Sequence, residues 1–123
     1  MSVASADEIT KALTALQASA RGVNAVLLAS TEGRLLGSTI ASGTERVQLS
    51  AISAAALAIA GKGVRDLHLG DLAQVTIRGK AGAILLFSLG QKAVLSLVLA
   101  DGVSPEPVIE AGRSALRNLE SMM

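Results

Sequence analysis

Residues 71–100, DLAQVTIRGKAGAILLFSLGQKAVLSLVLA, decide the fold. In residues 72–78, Ala73, Val75 and Ile77 alternate with Gln74, Thr76 and Arg78. That is the period of a strand with one face covered. Residues 83–89 and 93–100 are instead nearly unbroken runs of Ile, Leu, Val and Phe, as in strands covered on both faces. Gly79-Lys80-Ala81-Gly82 and Gly90-Gln91-Lys92 are short glycine-containing connections of the kind hairpins use. The stretch predicts an antiparallel meander whose first strand lies at a sheet edge and whose later strands lie deep within the sheet. The rest of the chain must cover it.

Working outward, residues 45–60 predict a helix with an unusual surface. Leu49, Ile52, Ala56 and Ile59 form a core stripe, yet Ala51, Ser53, Ala54, Ala55, Ala58 and Ala60 occupy other positions. Almost no charge lies between Arg46 and Lys62, whereas a surface helix normally carries a charged outer face. Small residues permit close helix–helix approach, so this face is expected to meet another copy or a partner. The plainer reading is an alanine-rich helix selected for propensity. Ser42 or Thr44 serves as its N-cap, and Gly61-Lys62-Gly63 is expected to end it.

Before that helix, residues 25–29 read as a central strand and 35–40 as a peripheral one, joined by Thr31-Glu32-Gly33-Arg34. Gly33 supplies the positive φ such turns favour. Ser5 and Glu8 form a capping-box pattern opening a first helix, with Ile9, Leu13, Leu16 and Ala20 as its apolar stripe and Gly22 as its stop. After the meander, Ser104-Pro105 opens a last helix striped by Ile109, Gly112, Leu116, Leu119 and Met123.

The chain has 123 residues, enough for one domain spanning 1–123 with a substantial core. Half its residues are hydrophobic, but Phe87 is its one aromatic, so the core is aliphatic. A net charge of +1 with dispersed charges gives no electrostatic footprint for nucleic acid. The absence of cysteine removes disulfides and thiolate chemistry. The opening MSVASADEITKALTAL lacks a signal-peptide pattern. Apolar runs of about ten residues fall short of the roughly 18–20 a membrane helix needs. A cytoplasmic protein without membrane insertion is therefore expected.

Catalytic and ligand motifs are not found. Gly61-Lys62-Gly63-Val64 follows a helix and lacks the hydroxyl of a phosphate-binding loop. His68 has no Ser or Asp constellation suited to nucleophilic catalysis, and Asp66 and Asp71 beside it make a poor metal set. Gly79 and Gly82 belong to a hairpin. Lys62, Arg65, Arg78 and Lys80 compose a modest basic rim suited to solubility or partner contact. No catalytic residue, metal or cofactor is predicted.

The whole pattern, with VNAVLLASTEGRLLGST after the first helix and residues 70–100 after the second, resembles the Roadblock/dynein light-chain family, particularly its small bacterial members of the MglB type. The resemblance rests on the Glu32-Gly33 turn, the small-residue middle helix and the closing strands. It implies an α+β three-layer α-β-α sandwich of profilin-like order α-β-β-α-β-β-β-α around a five-stranded antiparallel sheet. The middle helix lies on one face and the terminal helices on the other. It further implies a homodimer through the third strand and middle helix, here Ala51, Ala54, Ala55, Ala58, Gln74, Val75, Thr76 and Ile77. By function, it implies a regulator or scaffold of a small Ras-like, MglA-type GTPase, with Arg46, Leu49, Ser53, Lys62 and Arg65 as contacts. A non-catalytic dimerising adaptor is the alternative, and a small-ligand sensor a third reading.

Overall fold

The computed structural model describes residues 5–123, in the order α1 (Ala6–Ser19), β1 (Val23–Ser30), β2 (Leu35–Ser38), α2 (Gly43–Asp66), β3 (Gln74–Gly79), β4 (Gly82–Leu89), β5 (Ala93–Ala100) and α3 (Pro105–Met122). The first four residues of the segment read for targeting lie outside the described residues. The sheet runs β2-β1-β5-β4-β3, with every neighbouring pair antiparallel. As expected from the meander, β3 is an edge and β4 and β5 are interior.

Side-chain alternation divides the sheet into two unequal cores. One face carries Val26, Leu28, Leu85, Phe87, Leu95 and Leu97 under α1 and α3. Ile9, Leu13 and Leu16 of α1 and Val108 and Leu119 of α3 complete that core. Ser5 caps α1 by accepting from the Glu8 amide at 3.2 Å, and donates to the Glu8 carboxylate. Gly112 lies against Phe87, and a Cβ there would stand 2.6 Å from the ring's Cε2. Glycine is needed there for close approach.

The opposite face is covered by α2 alone, and its core is smaller: Leu27, Ala29, Leu86 and Val94 against Leu49 and Leu57. Ser53 and Ser96 meet across this layer, the Ser96 hydroxyl donating to Ser53 Oγ at 2.6 Å, both fully buried. Ser42 caps the helix, its hydroxyl accepting from the Glu45 amide.

Four sequence expectations for this region change. The helix does not stop at Gly61-Lys62-Gly63 but runs to Asp66, with Gly61 buried beneath the Arg65 side chain. The inner stripe is Leu49, Ser50, Ser53, Leu57 and Gly61, while Ile52 and Ile59 are 51% and 75% exposed. Small residues line the inner face, displacing the large apolar ones outward. Strand β3 starts at Gln74, leaving Ala73 exposed outside it. Finally, α2 is the one helix among the described residues long and apolar enough to cross a membrane, with a hydropathy of 1.4. In the structure it lies on the sheet instead.

Candidate functional site: the outer face of α2 and the β3 edge

The register shows what α2 leaves uncovered. Leu27, Ser96, Leu86 and Val75 stand opposite one another in successive strands and form a row under the helix. The neighbouring row on the same face is Ala25, Val98, Ile84 and Ile77. Val98 and Ile84 are only half-buried, and Ile77 is 37% exposed. A groove of about 470 Å³ joins Val98, Ala25 and Ile40 to Leu49 and Ile52 of α2. Ile52, Ala55, Ala56 and Ile59 share one helical flank by their spacing. An apolar strip thus runs along α2 and continues over the sheet to β3.

The other flank of α2 is different. Ala54, Ala58, Gly61 and Arg65 border a groove of about 500 Å³ with Thr31, Asp71, Ser88 and Gln91. The predicted interface alanines are therefore divided: Ala55 belongs with the isoleucines, Ala54 and Ala58 with the polar groove, and Ala51 is exposed.

At β3, Val75 and Ile77 face the α2 side, and Gln74 and Thr76 the other. Arg113 of α3 donates to the Gln74 amide oxygen at 3.0 Å, anchoring the start of the strand. No strand pairs with the outer edge of β3 among the described residues. Its backbone groups form an open template for a further strand.

The predicted partner contacts do not form one cluster. Lys62 and Arg65 are exposed near the end of α2, where Lys62 pairs with Asp66. Arg46 is half-buried at the start, with its Nε lacking a partner. Leu49 and Ser53 are 8% and 0% exposed, packed on the sheet, so neither reaches a partner; this corrects their assignment. Hydrophobicity alone did not reveal Ile52 and Ile59 as surface residues. The signal was the run of Ser and Ala opposite them.

Electrostatic perturbations are few and lie elsewhere. The Glu32 carboxyl is held below its ordinary value by its backbone hydrogen bond, then by Ser30 and the Arg34 charge. The Ser104 hydroxyl, donating at 2.6 Å, lowers Glu106 similarly, with backbone bonding and Arg78 assisting. Both carboxylates sit in turns or caps. No group of three metal-ligating side chains converges among the described residues.

These features belong to a known class of small sandwich domains. The Roadblock/LC7 domain model matches residues 9–100, and the chain belongs to that family. No curated protein matches it in sequence. Among solved structures, Myxococcus xanthus MglB is 17% identical, with a TM-score of 0.86 over 99% of this chain and 92% of that one. The gliding protein MglB of Thermus thermophilus is also 17% identical, with a TM-score of 0.83 over 99% and 93%. A Roadblock/LC7 domain from Streptomyces avermitilis is 12% identical, with a TM-score of 0.84 over 91% and 94%. At such identities the likeness is one of fold, the profilin-like sandwich expected from the element order.

Proposed function

We propose that the chain acts as a homodimer, formed through β3 and the apolar flank of α2, that regulates a small Ras-like GTPase. The observation that carries the reading is the continuity of three features: the unpaired β3 edge, the half-covered row ending at Ile77, and exposed Ile52 and Ile59. Pairing two β3 edges would make one ten-stranded sheet. Each edge hydrogen bond nets only about 1 kcal/mol, so the strand sets register while the helix flank provides most burial. A stable interface typically buries about 800 Å² per partner.

The paired helices would then present Ala51, the polar flank and the cations Arg46, Lys62 and Arg65 to a GTPase. A regulator of this kind needs no nucleophile, because the GTPase carries the nucleotide, magnesium and water-positioning groups. The family assignment and the MglB-like fold support this reading. The cations act as rim contacts that speed encounter with an acidic surface.

The test is mass by light scattering, alone and with the GTPase loaded with GTP or GDP, followed by GTP hydrolysis. A dimer that recruits the GTP form and changes its hydrolysis rate supports the proposal. Recruitment without a rate change would make the protein an adaptor. A monomer ignoring both states would remove the dimer and regulator readings.

A further inference from the structure

The end of α2 lies over one end of the sheet, where the β1–β2 turn and the β4–β5 hairpin border the groove of about 500 Å³. That volume falls within the roughly 300–1,000 Å³ of small-molecule sites. Its floor is largely apolar: Leu57 and Gly61 are buried, and Ala54 and Leu72 are half-buried. Charge enters from two places, Arg65 on the helix and Asp71 on the loop that follows it.

Both walls are held in place. On the sheet side, the Thr31 amide donates to the Lys92 carbonyl at 3.2 Å, tying the turn to the hairpin. On the helix side, the Leu69 amide donates to the Val64 carbonyl at 2.8 Å and the His68 amide to the Arg65 carbonyl at 3.1 Å. Such paired bonds define a Schellman cap, whose left-handed position is usually glycine. Here His68 occupies it, with φ 56. The cap fixes where the loop carrying Asp71 leaves the helix. Arg65 lies over Gly61, where an added Cβ would stand 3.2 Å from its Nη1. The absence of a side chain gives the guanidinium that room.

The groove holds hydrogen-bond donors and acceptors together. A guanidinium only donates. The hydroxyls of Ser88 and Thr31 instead direct their protons to the carbonyls of Gly90 and Gln91, at 2.7 and 3.5 Å, so their lone pairs remain to accept. Asp71 adds a carboxylate. Arg65 and Asp71 do not neutralise each other: among the described residues, the one ion pair joins Lys62 to Asp66. A cation, an anion and an apolar floor therefore border one groove.

We infer that this groove binds a small zwitterion of the amino-acid or short-peptide class with an aliphatic side chain. Its carboxylate pairs with Arg65 in the two-bond geometry that guanidinium favours. Its ammonium donates to Asp71 and the Ser88 hydroxyl, and its side chain lies on Ala54, Leu57 and Ala58. The site lies within one protomer, so its test stands apart from the dimer and GTPase readings.

The test is titration of the isotopically labelled chain with L-leucine, L-alanyl-L-leucine, isocaproate and isoamylamine, read from backbone amide NMR shifts. Leucine or the dipeptide is expected to move the amides of Thr31, Gly61, Ser88 and Gln91 saturably, and the tighter of the two tells free amino acid from peptide. Isocaproate and isoamylamine each lack one charge and should bind on the order of 10-fold more weakly than leucine. Arg65→Gln and Asp71→Asn should each weaken the zwitterion by a similar factor. Both residues are exposed, so the variants' spectra should otherwise match the wild type. No saturable shift with either zwitterion overturns the inference. Equal binding of isocaproate or isoamylamine, or shifts confined to residues outside the groove, overturns it as well.

Discussion

The Ser53–Ser96 pair permits a sharp test of how α2 is held. Both hydroxyls are fully buried and 2.6 Å apart, bridging helix and central strand. Replacing either serine by alanine leaves the other hydroxyl without that partner in a site closed to water. Such a loss costs about 1–3 kcal/mol. Replacing both removes the polar pair together, and the double variant is expected within about 1 kcal/mol of wild type. Each single-variant loss then exceeds that of the double, with a coupling of at least about 1 kcal/mol between the sites. Urea unfolding at one high protein concentration measures this cycle, because a dimer's stability depends on concentration. Two small, additive losses would show that the hydroxyls find other partners and that the bond does not position α2.

Three further outcomes follow from particular contacts. Gly112→Ala drives a methyl to within 2.6 Å of Phe87. Overpacking should outweigh the helical gain by about 1 kcal/mol in urea unfolding. His68→Gly relieves the left-handed cap and should stabilise the chain by about 1 kcal/mol, read from the same curves. Glu106 has a lowered folded pKa, so its contribution is present above the unfolded value and lost as pH falls through the folded one. Glu106→Gln should make the acid limb of a stability–pH profile slightly shallower. An unchanged limb would show that the Ser104 bond does not persist in solution.

Much of this architecture was legible in sequence because local signals agreed. Ser5 with Glu8, Ser104 with Pro105, the Glu32-Gly33 turn and the apolar runs of β4 and β5 specify ends and layers within a few residues each. The middle helix was harder. Two glycines near its end carry a helix penalty of about 1 kcal/mol each, yet Gly61 is buried under Arg65 and the helix continues through it. Periodicity assigned Ile52 and Ile59 to the core because it weighs hydrophobicity and ignores size. A helix lying close to a sheet instead buries Ser50 and Ser53. The same periodicity placed Leu49 in the core correctly, whereas its assignment and that of Ser53 to a partner came from the family resemblance, which does not say which side chains the sheet covers. The Ser53–Ser96 bond that ties α2 to the central strand is a long-range relation that no local pattern contains.

The inward placement of Ser50, Ser53, Leu57 and Gly61 has a consequence for how the surface can change. The residues that hold α2 on its sheet are distinct from Ala51, Ile52, Ala55 and Ile59, which face outward. Substitutions among those outer residues leave the protomer core intact, so each can be selected on partner choice with little penalty in folding. One scaffold can therefore acquire new specificities by single steps, each passing through a folded intermediate.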